Sequence, residues 1–99
     1  MNELQFLDLI EAVCRRPGLY TPTGTFYESV SFLEGLASGH LDLDDYAGHS
    51  KFTPFRTWLS EKLGRNRARF SWNEFRNLYD SDTHAFAELP KLYREYITS

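Results

Sequence analysis

The chain has 99 residues, 41% of them hydrophobic and 25% charged, with a formal net charge of −3. That length suits one domain, residues 1–99, with a core of its own, and the balance excludes wholesale disorder. The single cysteine excludes an internal disulfide and a four-cysteine zinc site, and no apolar run approaches the ~18 residues of a membrane span.

The first element expected is a helix from Asn2 to Arg16. Phe6, Ile10, Val13 and Cys14 fall on one helical face, with Leu7 and Leu9 beside it. Glu3, Asp8 and Glu11 come early and Arg15 and Arg16 late, which complements the helix dipole. Pro17-Gly18 stops it, because proline cannot continue the ladder and disfavours helical backbone at Arg16. In the turn that follows, Gly18 is expected at positive φ and Leu19 and Tyr20 folded back on the bundle. The Arg16 side chain is placed to bond the last carbonyls of the helix.

A loop to Gly24 leads to Thr25, an N-cap that forms a capping box with Glu28. The helix it opens runs to about Ser38, with Phe26, Val30, Leu33 and Ala37 on one face and Gly35 read as room for a close helix crossing. Gly39 is a plausible stop, and His40 to Ser50 reads as a long loop. Thr53-Pro54 starts a third helix carrying Phe55, Trp58, Leu59 and Leu63, and Gly64 ends it. The stretch 65–69 has no apolar period and reads as a basic loop. Ser71 and Glu74 form a second capping box before a short helix with Trp72, Phe75, Leu78 and Tyr79. Asp80-Ser81-Asp82 breaks that helix and caps the last one, Thr83 to about Ile97. Phe86, Leu89, Tyr93, Tyr96 and Ile97 make its stripe, and Pro90 is expected to kink it or split off its first turns. No run alternates long enough for a strand, so the fold class is all-α, a compact bundle of about five helices.

The order Arg15-Arg16-Pro17-Gly18-Leu19-Tyr20, then Phe32-Leu33-Glu34-Gly35, Phe55-Arg56-Thr57-Trp58-Leu59, Ser71-Trp72 and Asp80-Ser81-Asp82 resembles a family of small helical bacterial proteins. They have an Arg-Pro-Gly-(Met or Leu)-Tyr turn and are found among the immunity proteins of polymorphic toxin systems. The matched features cover most of the chain; Pro90 and the region 39–52 depart from the pattern. The resemblance implies a cytoplasmic binding protein that neutralises a toxin. It carries over no catalytic residue.

Charge divides the chain. Residues 1–50 hold two basic and eight acidic residues, net −6; residues 51–99 hold nine and six, net +3. Such asymmetry either marks a binding face or cancels where the halves pack together. Two surfaces are candidates. Glu34, Asp42, Asp44, Asp45 and Tyr46 form an acidic, aromatic-bearing face suited to a basic protein partner such as a nuclease toxin. Lys62, Arg65, Arg67 and Arg69, interleaved with Phe70 and Trp72, form the alternative, a nucleic-acid-binding or regulatory patch, which the acidic overall balance disfavours.

His40, Asp42, Asp44, Asp45 and His49 are the one metal-like cluster, without an ordered ligand spacing. As a calcium loop it fails at Ala47 and Thr53, where glycine and glutamate are needed. Cys14 lies on an apolar stripe, where a free cysteine is a small hydrophobe rather than a nucleophile. No glycine-rich phosphate loop or Ser/His/Asp set is present. The expectation is a protein without catalytic residues, cofactor or metal. Met1-Asn2-Glu3 has no basic leader region, which points to the cytoplasm.

Overall fold

A computed structural model describes residues 3–39, 52–64 and 71–98 of the chain. Five α-helices account for most of them: α1 (Glu3–Arg15), α2 (Phe26–Gly39), α3 (Phe52–Lys62), α4 (Trp72–Asn77) and α5 (Asp82–Thr98). A single 3-10 turn, Pro17–Leu19, follows α1. No strand occurs among the described residues. The all-α reading of the sequence is therefore met, and no helix among these residues is long and apolar enough to cross a membrane.

The helices form where apolar residues recur at helical spacing, and each buries that stripe against α5 or its neighbours. α1 lies along α5; α2 packs on α4, α5 and α1; α3 and α4 each pack on α5. α1 contributes Phe6, Leu7, Ile10 and Val13 to the core, and α2 contributes Phe26, Val30 and Leu33. Phe55 and Leu59 come from α3, Trp72 and Phe75 from α4, and Ala85, Phe86, Leu89 and Tyr93 from α5. Rings meet at the centre. Phe26 stacks on Phe75 at 5.6 Å, and Tyr93 meets the edges of Phe55 and Phe6 at 5.0 and 5.8 Å. Burying each such side chain is worth about 1.5–3 kcal/mol. Burial also pushes the Tyr93 phenol well above its ordinary value, with the Glu3 carboxylate and Tyr96 adding to the shift.

Capping follows the expected residues with two changes. Thr25 accepts from the Glu28 N–H at 3.3 Å. The Glu28 carboxylate, however, reaches past the cap to Thr23, accepting from its hydroxyl at 2.6 Å and its N–H at 3.4 Å. Ser71 accepts from the Glu74 N–H at 3.3 Å as expected. At the start of α5 the cap is Ser81, which accepts from the His84 N–H at 3.1 Å, and Asp82 is the first helical residue.

Three backbone expectations are corrected. Pro90 does not split off the first turns of α5, which runs through it without a break. Proline inside a helix costs about 3 kcal/mol, and the buried residues on both sides of it, Phe86, Leu89 and Tyr93, more than offset that. α3 begins at Phe52 rather than at a Thr53 cap, so Pro54 stands at its third position, still within the first turn where its missing N–H costs nothing. Gly35 is exposed and a Cβ there would meet nothing within 4 Å among the described residues, so no described helix crosses close to it. The expected loops at 40–50 and 65–69 lie outside the described residues.

Charge does cancel between the halves of the chain at several points. Arg94 of α5 donates to Glu11 of α1 at 2.7 Å, and Arg56 of α3 lies 3.4 Å from Glu34 of α2.

Candidate functional site

The segment joining α1 to α2 is held by a dense set of short-range bonds. Pro17 cannot extend the α1 ladder, so the backbone closes a new set behind it. The Leu19 N–H donates to the Arg16 carbonyl, and the Tyr20 and Thr21 N–H groups donate to the Pro17 carbonyl, each at 3.0 Å. The buried Thr21 hydroxyl donates to that same carbonyl at 3.3 Å and accepts from the Gly24 N–H at 3.0 Å. Gly24 has φ +67°, and a Cβ on it would stand 3.2 Å from the Gly18 nitrogen. Left-handed backbone and close approach together leave room for glycine alone.

The turn differs from its sequence reading in three respects. The positive φ belongs to Gly24, not Gly18. Arg16 satisfies the Ala12 carbonyl with its backbone N–H at 3.2 Å, not with its side chain. Leu19 does not fold back, being 72% exposed, whereas Tyr20, 38% exposed, leans on Phe32 of α2 with ring centroids 6.1 Å apart. The 3-10 turn ends the α1 periodicity at Pro17, so the exposure of Leu19 cannot be read from the α1 stripe.

Beside the turn, between the end of α1 and the first half of α5, lies an open groove of about 550 Å³. Pro17, Phe86, Ala87 and Pro90 supply its apolar lining, and Glu11, Arg15 and Asp82 its charges. Arg15 is shared with a second hollow of about 360 Å³, lined also by Ala12, Arg16, Leu19 and Tyr20.

Both carboxylates of the groove are already matched. Glu11 takes the Arg94 guanidinium. Asp82 accepts from Arg76 through one oxygen and from the Phe26 N–H, the first amide of α2, at 3.2 Å through the other. The Arg76 hydrogen bond, helped by that amide, holds the Asp82 carboxyl below its ordinary value despite partial burial. Arg76 is itself anchored to the Tyr79 carbonyl at 3.0 Å. Arg15 and Arg16 meet no carboxylate among the described residues; their positions at the C-terminal end of α1 favour positive charge without one. The unmatched charge on this face is thus positive.

Cys14 also lines the groove. Burial, and secondarily the Glu11 carboxylate, push its thiol up to about 12, so near neutral pH it is a thiol and a poor nucleophile. This matches its reading as a small hydrophobe on the α1 stripe.

Of the residues expected to form an acidic docking face, Glu34 is half-buried. It accepts from the Trp72 indole N–H at 3.0 Å beside Arg56, which joins α2, α3 and α4. Asp42, Asp44, Asp45 and Tyr46 lie outside the described residues, as do His40 and His49 of the metal-like cluster. No group of three His, Cys, Asp or Glu side chains suited to a metal occurs among the described residues. Of the basic patch, Lys62 bonds Glu95 at 2.5 Å and lies over the Trp58 ring, while Arg65, Arg67 and Arg69 lie outside. Trp72, named with that patch, is buried in the core. Sequence reasoning overlooked Asp82 as a link between helices, since nothing local pairs it with an amide 56 positions away. No family model, no curated protein and no solved structure matches this chain.

Proposed function

We propose that this chain is a small cytoplasmic binding protein of the immunity type, which neutralises a bacterial protein toxin by docking on it and performs no chemistry of its own. The observation that carries this reading is the turn after α1. A tightly bonded 3-10 turn presents Leu19 and one side of Tyr20 to solvent next to Arg15 and Arg16, which meet no carboxylate among the described residues. Side chains presented rigidly lose little entropy on binding, and Tyr and Arg are the types that most often anchor protein interfaces. The resemblance of the Arg-Pro-Gly-Leu-Tyr sequence and the features after it to immunity proteins adds the toxin to this reading. The thiol state of Cys14 speaks for a structural role of that residue.

The test is capture of partners from a lysate of the native host by the purified protein, read by mass spectrometry, followed by assay of the captured protein with and without this chain. The expected result is one partner at a fixed ratio whose activity is suppressed in the complex. Failure to retain any protein above a denatured-bait control, or turnover of a substrate by the chain alone, defeats the reading.

A further inference from the structure

We infer that the face built from the Arg15–Tyr20 turn and the groove between α1 and α5 is the docking surface, and that it receives an acidic segment of a protein partner bearing an apolar side chain. This rests on the binding-protein reading above and names the surface and the partner chemistry. It also moves the interface away from the acidic face expected from the sequence.

Charge complementarity carries the inference. Glu11 is occupied by Arg94, and Asp82 by Arg76 and the Phe26 amide. Arg15 and Arg16 are exposed and pair with nothing among the described residues. An incoming carboxylate therefore finds two guanidinium groups free to take it in forked, charge-assisted hydrogen bonds, and the anions already at the surface are screened by their own partners. Arg15 borders both hollows, so a carboxylate bound there sits between the apolar groove and the exposed Leu19 and Tyr20. The groove, with Pro17, Phe86, Ala87 and Pro90 along it, has a volume within the ~300–1,000 Å³ range of ligand clefts and accepts an apolar side chain. The geometry is also set in advance. Two bonds at the Thr21 hydroxyl and the close approach of Gly24 to Gly18 hold the turn closed on itself before any partner arrives.

The experiment uses the full chain, isotopically labelled, and three synthetic peptides: Asp-Glu-Phe-Asp-Glu, its alanine counterpart Asp-Glu-Ala-Asp-Glu, and the charge-reversed Lys-Arg-Phe-Lys-Arg. A single-stranded RNA oligonucleotide serves as a fourth probe. Binding is followed by backbone amide shifts and fluorescence anisotropy at two salt concentrations. The first peptide is expected to shift amides in 14–24 and 82–90 and to bind better than the other two peptides and the RNA. Its affinity should fall as salt rises, and by about tenfold or more in the Arg15→Glu/Arg16→Glu variant. Leu19→Ala is expected to weaken it less with its thermal melt unchanged, while the double variant, with acidic residues at the C-terminal end of α1, is expected to melt slightly lower yet keep the native pattern of amide shifts. The inference is overturned by equal binding of wild type and the double variant, by preference for the basic peptide or the RNA, or by no binding up to about 1 mM. A concentration-dependent dimer abolished by the same double variant would replace the partner with a second copy of this chain and overturn it too. The captured host partner separates this failure from that of the functional reading: a partner retained equally by wild type and double variant defeats the surface and leaves the function standing.

Discussion

Asp82 and Arg15 face the same groove, yet their charges have opposite fates. Asp82 joins three segments: the first turn of α5, Arg76 near the end of α4, and the first amide of α2. Arg15 and its neighbour Arg16 bond to nothing through their side chains among the described residues. Glu34, half-buried between Trp72 and Arg56, belongs with Asp82. A charge consumed by the fold has little left to offer a partner, because its donors and acceptors are taken and desolvation of the pair opposes rearrangement. A charge left open near exposed Leu and Tyr side chains retains its full capacity. Sign and exposure in the sequence do not distinguish these two classes.

The largest difference between the two regions is expected from their rings. Phe26 packs on Trp72, Phe75 and Phe86. Phe26→Ala should cost about 3–5 kcal/mol in urea unfolding, whereas Leu19→Ala at the exposed turn should stay within about 0.5 kcal/mol. Comparable losses at both positions would erase the distinction.

The next effect is expected at the charges. Asp82→Asn removes the charge and one of the two acceptor oxygens, so that Arg76 or the Phe26 amide loses its partner, and should cost about 1–2 kcal/mol near neutral pH, while Arg16→Ala should change stability little. The sign of the pH dependence follows from the lowered carboxyl. Its contribution is present above the ordinary value of 3.8 and is lost as the pH falls below that, through the folded-state value. Acid melts of wild type should show that loss, and Asp82→Asn should show less of it.

Glycines give a pair of opposite sign. Gly24→Ala forces a Cβ into left-handed backbone 3.2 Å from the Gly18 nitrogen and should destabilise by about 1–2 kcal/mol. Gly35→Ala, in open space on α2, should stabilise by about 0.5–1 kcal/mol. Thermal melts of the two variants decide both.

The smallest effect concerns reactivity. Cys14, with its thiol pushed up to about 12, should react slowly with a thiol reagent at pH 8 in the folded protein and at an ordinary rate once unfolded in urea.

Much of the helical layout was readable from residue types. Phe6, Ile10 and Val13 in α1, or Phe86, Leu89 and Tyr93 in α5, lie at spacings that only one face of a helix satisfies, and a stripe that apolar has to be buried. Thr25, Ser71 and Gly64 act locally, so their roles also follow from sequence. Pro90 shows where local rules fail: its cost is intrinsic to the residue, while the burial that overrides it comes from neighbours far away in the chain. The candidate surface was less readable. The Arg-Pro-Gly-Leu-Tyr run marks a turn, but the path that leaves Leu19 in solvent and sets Tyr20 on Phe32 goes with Thr21 and Gly24 closing back on Pro17 and Gly18.

Periodicity, caps and composition are properties of neighbouring residues, and they were enough to specify an all-α chain with an aromatic core. Which carboxylate is spent inside the fold and which arginine is left open depends on residues tens of positions apart meeting in space, as Asp82 meets Phe26 and Glu34 meets Trp72. Electrostatic pairing acts through distance in space rather than along the chain, and that is why the folded arrangement was needed to identify the face that remains available.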